Sequence, residues 1–220
     1  MELIITSHPE SPERDMQFSS ELLTEIAAGR RGATARLYRP GPTLAFGRQD
    51  QRLPGFERAC ALAEADGRQP LVRLGGGHAV AYDQGSLVIE LFHHQQRAFS
   101  GLEQRFVELS ELLEQTLSQL GVEVQVGELP DEYCPGRFSL HLPGGPKIAG
   151  LAQRMLPRAA MTTAVVAVAG GAALRQVTTA VYGVLGLQLD PATVGALSDR
   201  HPQLTVAEVE DAFMTALGEL

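Results

Sequence analysis

Lysine is nearly absent from this sequence: its eighteen basic residues are seventeen arginines and one lysine, Lys147. A coding bias toward arginine accounts for the scarcity but not for the exception. Arginine is a wide planar fork and lysine a compact point charge with an adjustable pKa, so a lone lysine marks a place where the fork would not fit. Cysteine is also scarce. Cys60 and Cys134 show no Cys-x-x-Cys spacing, which excludes a disulfide framework. No HExxH or Cys/His ligand spacing occurs, so no metal site is expected. A Walker-type Gly-x-x-x-x-Gly-Lys-Ser/Thr loop and a Gly-x-Ser-x-Gly elbow are missing too. The longest apolar run, Ala164 to Leu174, contains two glycines and falls well short of the roughly 20 residues that span a bilayer. The N-terminus has no basic region and no signal-like apolar stretch, so a soluble cytoplasmic protein without a membrane partner is expected. A net charge of −8 leaves nothing to offset phosphate repulsion, so no nucleic-acid partner is expected either.

What remains is 220 residues, 44% hydrophobic and 20% charged, a globular composition long enough to bury a core. Without repeats or linkers, one domain over residues 1–220 is the simplest organisation. Leu3 to Thr6 reads as a strand. A helix opens at Ser11-Pro12-Glu13, with Ser as N-cap and Pro at N1, and stops at Gly29. Ala33 to Tyr38 and Thr43 to Phe46 read as strands around Pro40-Gly41-Pro42, and Pro54 to Asp66 as a helix. Three strands follow, Leu71 to Leu74, Ala79 to Tyr82 and Leu87 to Phe92. Ser100 to Leu120 reads as a helix with a Ser100/Glu103 capping box. Val122 to Val126, Phe138 to Leu142, Lys147 to Met155 and Thr162 to Val168 read as strands. Helices over Ala172 to Leu185 and from Thr205, capped by Glu208, complete the chain. Hairpin-like clusters of strands separated by single helices argue for α+β with mixed or antiparallel sheet.

Cys60 lies in an apolar helical stretch and reads as a small buried hydrophobe. Cys134 lies in Asp-Glu-Tyr-Cys-Pro-Gly-Arg, a turn between strands. A cysteine in a polar loop near a cation is the setting that yields a thiolate, and Lys147 follows 13 residues later, a span that a hairpin folds back across. Gly75-Gly76-Gly77 follows a strand and Arg73. Consecutive glycines leave backbone bare, which suits either a tight turn or the close approach of a ligand. His78 beside that loop, or His141, is a candidate general base. Residues 30–52 hold Arg30, Arg31, Arg36, Arg39, Arg48 and Arg52 against Asp50 alone, a local balance of +5. That suggests a docking patch for an acidic protein partner.

Three segments, in order, carry a family resemblance. Arg73-Leu-Gly-Gly-Gly-His-Ala-Val-Ala-Tyr-Asp83 resembles the Gly-rich signature of the biotin/lipoate ligase and octanoyltransferase superfamily. Pro42-Thr-Leu-Ala-Phe-Gly-Arg48 resembles its Pro-Thr-x-x-x-Gly-Arg strand, and Lys147-Ile-Ala-Gly150-Leu-Ala-Gln153 its Lys-Ile-x-Gly-x-Ala-Gln segment. The resemblance implies a class II aminoacyl-tRNA synthetase/biotin synthetase-like catalytic domain, with mixed and antiparallel sheets flanked by helices and no separate C-terminal accessory domain. It implies substrate binding by Arg73, Gly75, Gly76, Gly77, His78, Asp83, Gly150 and Gln153, with Lys147 at the acyl carbonyl. Tyr133-Cys134-Pro135-Gly136 ahead of Lys147 is similar to the thiol-dependent octanoyl/lipoyl transferases, most of all the amidotransferase type that moves octanoyl between H protein and E2 subunits. For that group the implied chemistry is a Cys134 thioester with Lys147 assisting and no cofactor required. Its implied partners are lipoyl-domain proteins (H protein, E2 subunits) or acyl carrier protein. Two alternatives stay open: an ATP- and Mg-dependent lipoate-protein ligase working through lipoyl-AMP, and a non-catalytic lipoate- or lipoyl-domain-binding protein.

Overall fold

Helix α1 (Pro12–Ala27) starts where Ser11 leaves helical geometry and Pro12 occupies N1, with Glu13 and Asp15 in the first turn, where the helix dipole favours negative charge. Asp15, Ser19, Leu22, Leu23 and Ile26 are buried, a spacing that places them on one face. In the computed structural model, which describes residues 1–95 and 100–220, that face lies on a seven-stranded sheet. The strands are β1 (Glu2–Ile5), β2 (Thr34–Tyr38), β3 (Thr43–Phe46), β4 (Gln69–Val72), β5 (Val80–Tyr82), β6 (Ser86–His94), β7 (Gln125–Val126), β8 (Leu140–His141), β9 (Lys147–Leu156) and β10 (Ala159–Ala167). The large sheet runs β1-β2-β6-β10-β9-β8-β7 and a small one β4-β3-β5. Pairs β1–β2 and β3–β4 are parallel and the others antiparallel. This is the expected α+β arrangement of mixed and antiparallel sheets flanked by helices.

Side chains alternate across the large sheet. Leu37, Ile89, Leu91, Ala164 and Val166 face a core shared with α3 (Leu102–Gln119) and α5 (Val206–Gly218) through Leu109, Leu113 and Phe213. The opposite face carries Arg36, Tyr38, Val88, Glu90, Thr163 and Val165, and looks toward α1 and the small sheet. A second core joins the small sheet to α2 (Phe56–Ala65) and α4 (Gly171–Leu185) through Leu44, Phe46, Ala59, Val181 and Leu185.

Four expectations change. Pro40-Gly41-Pro42 does not close a hairpin: it carries the chain from β2 in the large sheet to β3 in the small one. The capping box of α3 does not form. Its N-cap is Gly101 in left-handed backbone, and Glu103 pairs with exposed Arg137 at 2.9 Å. The strand near Val122 shrinks to Gln125–Val126, with Val122 and Val124 used as core plugs instead. The arginine patch is mostly neutralised by carboxylates from outside the 30–52 window. Arg30 pairs with Glu25, Arg31 with Glu2 and Arg39 with Glu210, and Arg36 is fully buried against Asp15 and Glu90. Of the six, Arg48 and Arg52 are exposed and form no ion pair among the described residues. Thr205 and Glu208 do form the expected reciprocal cap of α5.

Candidate active site

Cys134 lines a cavity together with residues on the α1-facing side of the large sheet. The residue is half-buried, with φ +43°. A left-handed conformation is unfavourable for a non-glycine residue, and the following Pro135 disfavours helical backbone further. Three contacts hold it there. Its amide donates to Tyr182 Oη on α4 at 2.7 Å, and that hydroxyl donates to the Ala79 carbonyl at 3.1 Å. Its carbonyl accepts from Lys147 Nζ at 2.9 Å. Arg73 NH2 lies 3.2 Å from Sγ.

Lys147 opens β9 and is 1% exposed. Its ammonium donates to Glu132 Oε1, Tyr133 O and Cys134 O, each at 2.9 Å. An ammonium has three donors, so all are in use on one loop. Glu132, itself buried, also accepts from the Gly136 and Leu129 amides and from Ser139 Oγ. It gathers the whole 129–139 turn around its carboxylate. A compact ammonium can meet three converging acceptors where a planar fork cannot. This explains the single lysine.

Burial pushes the Cys134 thiol up. The Arg73 and Lys147 charges, the Arg73 hydrogen bond and the His78 amide more than offset it, and the pKa falls below that of an ordinary thiol. Burial also lowers the Lys147 pKa, opposed by Glu132 and Cys134. Among the described residues no group of three or more His, Cys, Asp or Glu side chains is arranged to hold a metal.

The glycine loop fits against this thiol. Gly77 has φ +91°, and a Cβ there would collide with Cys134 Sγ, while a Cβ on Gly47 would collide with the Gly77 carbonyl. Arg73 NH2 donates to the Gly76 and His78 carbonyls at 2.6 and 2.8 Å. Its Nε, buried, meets no acceptor among the described residues. Gly75 and Gly150 line the cavity. The His78 ring Nδ1 lies 2.6 Å from Asp50 Oδ1, and Asp50 Oδ2 accepts from the Gly47 amide. With Nδ1–H given to Asp50, Nε2 is left as the proton acceptor, although His78, like His141, is not among the residues that line the cavity.

Three expected site residues lie elsewhere. Gln153 alternates away from Gly150 and Ala152, so it faces α3, accepting from Arg105 and donating to the Leu102 carbonyl. Asp83 closes a turn through the Gly85 amide and pairs with Arg68. The His141 ring turns to the Leu142 carbonyl and does not border the cavity. Conversely, Glu132, Asp50 and Tyr182 carry weight that no spacing announced. Only the acidic pair next to Tyr133-Cys134 hinted at Glu132.

Residues 11–218 match the model of the lipoyl protein ligase A/B catalytic domain. An octanoyl-[GcvH]:protein N-octanoyltransferase of Bacillus velezensis is 34% identical over 135 residues, 61% of this chain and 47% of that protein. A lipoyl-[GcvH]:protein N-lipoyltransferase of Listeria monocytogenes is 26% identical over 137 residues, 62% of this chain and 49% of that protein. The matched region thus spans about half the length of these curated relatives. Among solved structures, lipoate-protein ligase A bound with ATP superposes with a TM-score of 0.76 at 19% identity, covering 99% of this chain and 84% of that one. The fold is therefore that of the lipoate-protein ligases.

Proposed function

Because the chain belongs to the lipoyl protein ligase A/B catalytic-domain family, we propose that it moves an octanoyl or lipoyl group to the acceptor lysine of a lipoyl domain through a thioester on Cys134. One observation carries this reading. The cysteine that lines the cavity is held in strained backbone with a guanidinium 3.2 Å from its sulfur.

The donor is an acyl-lysine amide of one lipoyl-domain protein or a carrier thioester. Cys134 Sγ, as thiolate, attacks the acyl carbonyl carbon, and the carbonyl π electrons move onto oxygen. Arg73 is the cation assigned to that oxyanion, because its NH2 group lies 3.2 Å from Sγ while every Lys147 donor is occupied. Losing one oxyanion donor typically costs about 10²–10³ in rate. Lys147 acts as a positioning residue that fixes the Cys134 carbonyl and adds positive charge near the sulfur. The tetrahedral species collapses, expelling the donor amine or carrier thiol, which takes the proton that His78 Nε2 drew from the Cys134 thiol. The acceptor lysine then attacks the thioester, His78 Nε2 takes its proton, and Cys134 leaves as thiolate. Asp50 orients that imidazole. The scheme needs neither ATP nor metal.

The experiment is transfer from an octanoyl thioester to a purified lipoyl domain without ATP, with Cys134→Ser as control. Transfer by the native protein and none by the variant, at unchanged thermal stability, is the expected pair. Acylation that requires free lipoate, ATP and Mg²⁺ and survives Cys134→Ser overturns it in favour of a ligase.

A further inference from the structure

The cavity runs across the large sheet away from Cys134. In register, Ala152 on β9 faces Thr163 on β10, which faces Glu90 on β6, which faces Arg36 on β2. Neighbouring strands lie about 4.8 Å apart, so Glu90 stands roughly 10 Å from β9. Between them the wall carries Val88, Val165, Met161 and the Thr163 hydroxyl from the sheet, with Leu74, Val80 and Tyr82 from other segments. Then the wall changes character. Glu90, 4% exposed, accepts the Ser19 hydroxyl on Oε2 at 2.6 Å, and the same oxygen lies 3.5 Å from Arg36 NH1. Its Oε1 takes no hydrogen bond among the described residues, although the residue borders the cavity. Through Oε2 Glu90 is a counter-charge to the buried Arg36, which leaves Oε1 outside that pairing.

We infer that the cavity is built for an acyl chain whose far end hydrogen-bonds to Glu90, a hydroxyl- or thiol-terminated chain rather than a methyl-terminated one. This rests on the reading of the cavity as an acyl site. A terminal methyl would seal Oε1 from water without a partner, and a buried polar group left in that state is unfavourable. A hydroxyl or thiol both donates and accepts, so it serves Glu90 whether ionised or protonated, and burial raises that pKa. Between the two cargoes considered, the site favours lipoyl in its reduced dithiol form, which ends in an S–H, over octanoyl.

Thioesters of octanoic and 8-hydroxyoctanoic acid are compared as donors, and the two free acids are titrated calorimetrically into the native protein. The hydroxylated chain is expected to show about tenfold higher kcat/KM and about tenfold tighter binding, the size of one net buried hydrogen bond. In Glu90→Leu the order inverts. Equal or better performance by octanoate in native protein overturns the inference, as does failure of both acids to bind. Tighter binding of the hydroxy acid without any transfer leaves this inference standing and removes the transfer reading. The native-protein pair decides the matter even if Glu90→Leu fails to fold.

Discussion

The two ends of the cavity are each built around a buried cation, yet they use it differently. At one end Lys147 meets Glu132 and two carbonyls of a single loop. At the other Arg36 meets Asp15, Ser19 and the Thr6 carbonyl, and lies near Glu90. A lysine suits acceptors that converge on one point, and an arginine suits acceptors spread along a helix, a strand and a loop. The first cluster aims a reactive sulfur. The second lines the pocket through Asp15, Ser19 and Glu90. Burial of charge is costly in both places, and function differs according to what the held groups point at.

Cys134→Ser separates the ends most sharply. It is expected to lower transfer at least about 10³-fold, because a hydroxyl cannot replace a stabilised thiolate in this site. Urea unfolding midpoints should match those of native protein.

Removing either cation tests whether the clusters act alone. Lys147→Met strands Glu132 and Arg36→Leu strands Asp15, each at a cost of about 3–5 kcal/mol in urea unfolding. Iodoacetamide reactivity of Cys134 should fall in the first and stay near native in the second. Equal loss in both would mean that the ends are not independent. Glu132→Gln added to Lys147→Met should recover stability without recovering transfer.

His78→Gln and Asp50→Asn remove the proposed base and its orienting partner, and each should slow the deacylation half-reaction by about 10²-fold. Stopped-flow acylation by a thioester donor should change much less, since that step needs no base once the thiolate exists.

Arg73→Met gives the pH test. The native thiol pKa is depressed, so thiolate persists as pH falls, and alkylation should titrate with a midpoint below that of an ordinary thiol. The variant keeps the burial that raises the pKa and loses the charge and hydrogen bond that lower it. Its midpoint therefore moves up. An unmoved midpoint would take Arg73 out of thiol activation.

Tyr182→Phe should have the smallest effect. It strands the Cys134 amide and the Ala79 carbonyl, worth about 1–3 kcal/mol in thermal unfolding, with transfer slowed by about tenfold or less.

Much of this was legible in the residues. Apolar runs along β6 and β10 and the helix punctuation at Pro12, Gly29 and Thr205 located many of the elements, because these signals are local. The lone lysine and the loop cysteine marked the reactive end for the same reason. What escaped was set by long-range pairing. Nothing near Pro40-Gly41-Pro42 says that the chain changes sheets. The charge of Arg36 looked solvated because its partners Asp15 and Glu90 lie far away in sequence. Gln153 sits in a motif with Gly150, and a strand's two-residue repeat sends it to the other face. Glu132 and Tyr182 acquire their roles only when the 129–139 turn packs on β9 and α4.

The most direct measurement is rapid acid quench of native protein mixed with an octanoyl thioester in the absence of ATP, followed by peptide mass spectrometry. Octanoyl should appear on Cys134 within one turnover and disappear on adding a lipoyl domain, at a rate no slower than overall transfer. Turnover with Cys134 unmodified throughout, or acylation confined to another side chain, would contradict the account.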